Sequence, residues 1–210
     1  MKVYGIDLLK EKSLWQIWSA CVRHLPSSKF NLVITIFSFT LLVSECYFFP
    51  DRQTGRVNVL RELASAGLGF GSTILGFLIA GFTIFATLAK PDMLRRMYDV
   101  KHASGLPYLK VNFFAFVEVF IVYITILFFY LLITIIGGPN GAVGAVVAQS
   151  IKVPIAGYSI DPVSLVNIAY VMLSTASIYA FLALKSFIFN TYHAVMTSTV
   201  WSFKENLKIS

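Results

Sequence analysis

Four long runs of apolar residues dominate the pattern along the chain, and the prolines stand at or between the ends of these runs. The runs cover roughly 30–49, 63–89, 111–136 and 162–189. A helix needs about 20 residues to cross the hydrocarbon core of a bilayer. Because proline breaks a helix interior but is tolerated in the first turn and in loops, the pattern predicts four membrane-spanning helices.

Two flanking segments have the periodicity of helices that do not cross the membrane. In residues 4–25 apolar side chains recur at three- and four-residue steps, and Trp15 and Trp18 stand near lysines, as in helices that lie among lipid headgroups. From Phe189 to Leu207 the apolar positions step by 3, 4, 4, 3 and 4 residues. This row predicts either a continuation of the fourth span that packs on copies of itself or a second interfacial helix.

These patterns predict an all-α fold, an integral membrane bundle of four transmembrane helices with amphipathic cytoplasmic helices at both ends. The N-terminal helix occupies 1–29, the transmembrane domain 30–190 and the C-terminal helix 191–210. The connection 137–161 is nearly uncharged and rich in small residues. It either re-enters the bilayer, where irregular backbone needs protein or water around it, or forms a small surface hairpin at 152–160.

Composition agrees with this class of protein, and charge predicts its orientation. The chain is 57% hydrophobic and 13% charged, whereas a soluble domain carries about 25% charged residues. Thirteen Lys and Arg belong to the two ends and the 90–110 loop, and four to the other loops. The positive-inside rule therefore places both termini in the cytoplasm. The net charge of +7 is a topology signal, and we expect no nucleic-acid partner.

Small residues form a stripe along one face of the second span. They step by 3, 4, 4, 3 and 4 residues and so share one side of a helix. The stripe consists of Gly69, Ser72, Gly76, Ala80, Thr83 and Thr87. The bulky residues expected on the opposite side are Phe70, Ile74, Phe77, Ile84 and Leu88. Gly67 and Gly71 add a GxxxG motif at the predicted outer end.

Two interpretations of the stripe compete. Small residues at this spacing commonly let another helix approach closely, so that dispersion and hydroxyl hydrogen bonds hold the pair. Alternatively, several copies turn the stripe toward a shared axis, where it lines a narrow pore with an apolar constriction at Gly76 and Ala80.

Polar residues inside the spans are further candidates. Glu118 lies about seven residues into the third span, where a carboxylate is costly and marks a functional site by default. Thr125 follows two turns later on the same side, and Lys110 could reach toward Glu118. The alternative is that Glu118 is protonated or a structural hydrogen-bond partner.

The first and fourth spans carry polar residues as well. Glu45, close to Arg52 and Arg56 in sequence, is expected at the outer interface. The polar side of the fourth span comprises Ser164, Asn167, Tyr170, Ser174 and Ser177. We interpret these as contacts between helices, with the stripe of the second span as one possible partner and a polar cavity as the alternative.

Enzyme motifs are missing from the sequence. The cluster GLGFGS does not follow a strand and lacks the GxGxxG spacing of a nucleotide site. The three histidines have no metal-ligand spacing. Cys21 and Cys46 fall at opposite ends of the first span, so an intrachain disulfide is not expected. We therefore expect no catalytic residues, no metal site and no cofactor.

A chain with almost no domain outside the membrane acts on or in the bilayer. The first hypothesis is a homo-oligomeric pore or ion channel in the inner (plasma) membrane of a bacterium, with ions as possible partners. The basic inner rim would favour anions and Glu118 would favour cations, so the ion sign stays open. The alternatives are a non-conducting anchor or assembly subunit for a partner protein, and a membrane-depolarising effector of the toxin or defence type.

Overall fold

The computed structural model describes residues 10–24, 29–88, 91–138, 153–155, 158–160 and 162–209. Within these ranges lie six α-helices, a 3-10 turn at Pro50–Arg52 and a two-stranded ribbon. The helices are α1 (Leu14–His24), α2 (Lys29–Phe48), α3 (Gln53–Leu88), α4 (Pro91–Asp99), α5 (Tyr108–Ile136) and α6 (Pro162–Ile209). The strands are β1 (Val153–Ile155) and β2 (Tyr158–Ile160).

Four of these helices, α2, α3, α5 and α6, are long and apolar enough to cross a membrane. The protein is therefore an all-α, four-span integral membrane bundle, which confirms the predicted fold class. Helix α3 begins ten residues before the second apolar run, at Gln53. Polar residues can continue a helix outside the lipid, and the sequence from Asp51 to Lys90 holds no proline to stop it.

Helix α6 continues well beyond the fourth apolar run. It has 48 residues and ends at Ile209 without an intervening break. The prediction that the C-terminal periodic row continues the fourth span is thus confirmed. At about 1.5 Å per residue the helix is about 72 Å long, far more than the roughly 30 Å of a bilayer core.

Helix α4 is an element that the apolar pattern did not predict. Pro91 occupies its first position and Asp92 its first turn, both of which favour a helix start. Met97 is buried, while Arg95 and Arg96 are exposed. Its nine residues are too few and too polar to register as a span.

The strands β1 and β2 form an antiparallel hairpin, with Val153 opposite Ile160 and Ile155 opposite Tyr158. The strand pairing of the hairpin alternative for the 137–161 connection is confirmed for these residues, and its surface position stays a prediction. Positions 139–152 of that connection lie outside the described residues. The re-entrant alternative concerns these positions and stays a prediction.

One compact unit comprises Lys29–Gly76 and Tyr123–Leu182. Hydroxyl and amide groups join its helices. The hydroxyls of Tyr130 and Ser177 are 2.6 Å apart, and the Tyr123 hydroxyl donates to the carbonyl of Ala180 at 3.4 Å. The Asn31 amide donates to the carbonyl of Leu182 at 3.3 Å. Such bonds are typical of packed membrane helices.

The other unit comprises Met1–Ser28, Phe77–Val122 and Ala183–Ser210. An aromatic cluster forms its centre, where the buried Phe116 packs against Phe82 and Phe187. Ring centroids lie 5.6 Å and 5.0 Å from that of Phe116, both in edge-to-face geometry. Edge-to-face pairs place the positive ring edge against the negative ring face, which adds to the energy of burial.

Candidate functional site

The small-residue stripe of α3 is exposed at every one of its predicted positions. These positions are Gly69, Ser72, Gly76, Ala80, Thr83 and Thr87. A methyl group added at Gly69 or Gly76 would meet nothing within 4 Å. In a chain that spans a membrane, such a face contacts lipid or another chain.

A different face of α3 packs inside the chain. Its buried residues include Leu60, Ala64, Gly71 and Leu78. Gly76 lies nine residues from Gly67, which is two and a half turns, so the stripe and the packed face are on opposite sides of the helix.

The bulky residues expected opposite the stripe do not form this packed face. Phe70 and Phe77 are exposed, and Phe77 is 71% accessible, so neither side chain belongs to the packed face. The Phe70 ring stacks on Phe181 with centroids 5.4 Å apart. The Ile84 and Leu88 side chains lie outside the described residues.

The GxxxG motif is where α3 approaches another helix closely. A Cβ added at Gly67 would come within 2.5 Å of the Tyr130 ring, and one at Gly71 within 2.9 Å of Leu127. Glycine suits these two positions because side chains of α5 occupy the space, and an added Cβ would force the Tyr130 ring or the end of Leu127 to shift. The close-packing function therefore belongs to Gly67 and Gly71.

The hydroxyl groups of the stripe donate to carbonyls of their own helix. Ser72 donates to Leu68 at 2.7 Å, and Thr83 donates to Ile79 at 2.9 Å. A hydroxyl has one proton but two lone pairs. With the proton engaged by the backbone, these oxygens present acceptor capacity at the exposed face.

A buried guanidinium joins three segments at the end of the spans that is predicted to be outer. Arg56 is 2% exposed and donates to the carbonyls of Glu45 and Phe49, at 3.0 and 2.6 Å, and to the Asn167 side chain at 3.1 Å. Its Nε lies 3.9 Å from the carboxylate of Glu45. The Tyr170 hydroxyl donates to the same carboxylate at 3.0 Å.

This network assigns partners to much of the polar side of the fourth span. Asn167 bonds to Arg56, Tyr170 to Glu45 and Ser177 to Tyr130. Helix-to-helix bonding is therefore their role, although the stripe of α3 is not their partner. Ser174 is half-buried and Ser164 is exposed. Sequence reasoning paired Glu45 with nearby arginines but missed that one arginine also reaches the fourth span.

Glu118 is half-buried on α5, and Thr125 is exposed. Within the part of the chain that the structure describes, no hydrogen bond or ion pair engages the Glu118 carboxylate. Lys110, the cation considered for it, instead pairs with Glu11, with Nζ 2.8 Å from a carboxylate oxygen. The ammonium also lies 5.4 Å from the centre of the Phe114 ring.

Helix α1 packs on α5 through Cys21, whose side chain is fully buried. The thiol donates to the carbonyl of Phe114 at 3.5 Å. Burial, and secondarily the charge of Glu118, raise the pKa of the Cys21 thiol to about 12. Both Cys21 and Cys46 are free.

The predicted interfacial anchors lie on another edge of α1. Trp15 is 76% exposed and Trp18 is half-buried. No group of three His, Cys, Asp or Glu residues with the geometry of a metal site occurs in the described ranges.

No family model, no curated protein and no solved structure matches the chain. Its class, an integral membrane protein with four helices long and apolar enough to cross a membrane, follows from its own sequence and fold.

Proposed function

We propose that the protein is a homo-oligomeric membrane pore or ion channel in which the α3 stripe lines the path. The exposure of the whole stripe is the observation that carries this proposal. Packing within the chain uses Gly67 and Gly71 on the other side of α3. The small and hydroxyl-bearing face is therefore left for contacts beyond the single chain.

The chemistry of the stripe suits a narrow aqueous path. Ser72 and Thr83 offer hydroxyl oxygens as acceptors because their protons are held by the helix backbone. Such oxygens can replace part of the hydration shell of a cation. Gly76 and Ala80 between them would form an apolar ring, which can gate by dewetting. Within this proposal the lining favours cations over anions.

The C-terminal part of α6 from Phe189 to Ile209, called its tail, supports assembly from several copies. Its exposed apolar row consists of Phe189, Tyr192, Met196, Val200 and Phe203. Because α6 is longer than a bilayer is thick, part of this row extends beyond the lipid, where exposed apolar surface favours a protein partner. The steps of 3, 4, 4 and 3 residues match the spacing of the α3 stripe. Both rows have an 11-residue period, which is typical of helices that wrap around each other in a right-handed supercoil.

Thiol accessibility along α3 tests the proposal. Single cysteines are placed at Gly76 and Thr83 in a chain that carries Cys21→Ala and Cys46→Ser. Phe77→Cys is the control for an exposed, lipid-facing position at the same depth, and Leu78→Cys is the control for a buried one. Reconstituted protein is treated with a small membrane-impermeant thiol reagent.

We expect Gly76→Cys and Thr83→Cys to react and both controls to stay unmodified, and we expect modification to block ion flux. Reaction at Phe77→Cys as fast as at Thr83→Cys would mean that water reaches α3 from all sides, which contradicts a stripe-lined path. Protection of both stripe positions under every condition would also contradict the pore.

The second candidate is a non-conducting subunit that holds a partner protein. The open space at Gly69 and Gly76, where an added Cβ meets nothing within 4 Å, would equally admit a helix of another protein. This candidate predicts protected thiols on the stripe and co-purification of that protein. A depolarising effector would share the accessible stripe and would in addition arrest growth on expression.

A further inference from the structure

Helix α1 contacts α5 through Cys21. The buried Cys21 thiol bonds to the carbonyl of Phe114, and Glu118 follows Phe114 by one turn of α5. Helix α1 thus lies over the part of α5 that carries the intramembrane carboxylate.

An ion pair fastens the segment just before α1 to the start of α5. The Lys110 ammonium lies 2.8 Å from one carboxylate oxygen of Glu11 and 2.9 Å from the other. The two side chains are only 7% and 15% exposed. Removing one partner by substitution would leave the other charge buried and uncompensated, so the packed arrangement depends on both side chains.

The edge of α1 that does not pack is apolar and exposed. Trp15 and Val22 lie about a third of a turn around the helix from Cys21, and both are exposed. Lys12 and Arg23 are exposed as well. An edge of this composition binds the headgroup region of anionic lipid, and its affinity depends on how tightly the lipids pack.

We propose that α1 is a latch on the N-terminal half of α5. Closed, it is clasped by Glu11 and Lys110 and covers the side of α5 that carries Glu118. Loosened lipid packing draws the Trp15–Val22 edge into the bilayer and shifts the latch toward an open state, in which water reaches Cys21 and Glu118. The bilayer surface is thus the partner of α1.

Cys21 is a native reporter of the latch. In a chain carrying Cys46→Ser it is the single thiol. The protein is reconstituted in vesicles of phosphatidylcholine and phosphatidylglycerol, and the rate of modification by a small methanethiosulfonate reagent is measured. Lysophosphatidylcholine, which loosens headgroup packing, is then added to the same vesicles.

We expect slow labelling in the unperturbed vesicles and a rise of about tenfold or more with lysophosphatidylcholine or with Glu11→Gln, because labelling follows the population of the open state. Asp99→Asn is the matched control, since it removes one carboxylate from an exposed position outside the clasp. It should label at the parent rate. The exchanged pair Glu11→Lys with Lys110→Glu should restore slow labelling.

Fast labelling of Cys21 in the unperturbed parent would overturn the latch. So would a labelling rate that lysophosphatidylcholine leaves unchanged, provided that the unfolded protein labels fully. If Glu11→Gln fails to fold, the lysophosphatidylcholine measurement on the parent decides alone. The latch requires a chain in a bilayer but no conduction. The Cys21 labelling result would therefore stay valid if the pore proposal failed. The thiol measurement on the stripe would likewise stay valid if the latch proposal failed.

Discussion

At the scale of single residues, the buried Arg56 joins three segments of the chain. Its guanidinium serves two carbonyls, one amide and one carboxylate. Arg56→Met would leave Glu45 without its cation, and we expect a loss of about 3 kcal/mol in the free energy of unfolding. Unfolding in mixed detergent micelles measures the change.

Arg52→Met is the matched control for that substitution. Arg52 is exposed, and its guanidinium lies 4.8 Å from the Phe49 ring centre, a contact that contributes about 0.5–1 kcal/mol at exposed sites. Equal losses in the free energy of unfolding for the two substitutions would show that the buried network contributes no more than the exposed contact of Arg52. Adding Glu45→Gln to Arg56→Met should recover part of the loss by removing the stranded charge.

Cys21 gives a prediction with a pH dependence. Its pKa rises from 9.0 to about 12 on folding, so between these values the unfolded chain loses the thiol proton while the folded chain keeps it. Stability contributed by the neutral thiol is therefore complete below about pH 9 and falls as the pH rises toward 12. The melting temperature of the parent protein should fall more steeply over this pH range than that of Cys21→Ala. Parallel declines would contradict the shift.

At the scale of the elements, α3 offers a matched pair of glycines. Gly67→Ala places a Cβ 2.5 Å from the Tyr130 ring, and that ring cannot move freely because it is buried and bonded to Ser177. We expect the free energy of unfolding to fall by about 1–3 kcal/mol because the added methyl group overpacks this contact. Gly69→Ala meets no atom and should be neutral or slightly stabilising. Comparable losses at both positions would contradict the assignment of the two faces.

The same helix shows how far its sequence could be read. The period of the stripe placed Gly69 and Thr83 on one face correctly, because spacing alone decides which side chains share a side of a helix. Spacing does not say which face meets a neighbour. Phe70 and Phe77, expected opposite the stripe, are exposed; because lipid is as apolar as any core, bulky residues gain little by turning inward.

The sequence also did not predict which polar side chains would bond to each other. Glu45 and Asn167 are 122 residues apart, and their link through Arg56 depends on how three segments meet at the end of the spans. Lys110 and Glu118 are close along one helix, yet the lysine pairs with Glu11. Ion pairs between distant segments carry no periodic signal.

At the scale of the whole molecule, the tail of α6 tests assembly. Val200→Asp together with Phe203→Asp puts charge into the exposed apolar row, and we expect the fraction of cross-linked oligomer in membranes to fall about tenfold, since a buried unpaired charge opposes association. Asn190→Asp together with Thr199→Asp adds the same charge to other exposed positions of the tail. Equal loss in both variants, or in neither, would contradict a specific seam.

The unbroken course of α6 has a mechanical consequence. Its candidate span ends at His193, and the helix continues to Ile209. A tilt of about 10° within the bilayer swings the end of this roughly 24 Å extension through about 4 Å, so the extension acts as a lever arm. If the levers of neighbouring copies are joined along their apolar rows, no subunit can tilt alone. Any change of tilt is then concerted, and the assembly responds as a unit rather than subunit by subunit.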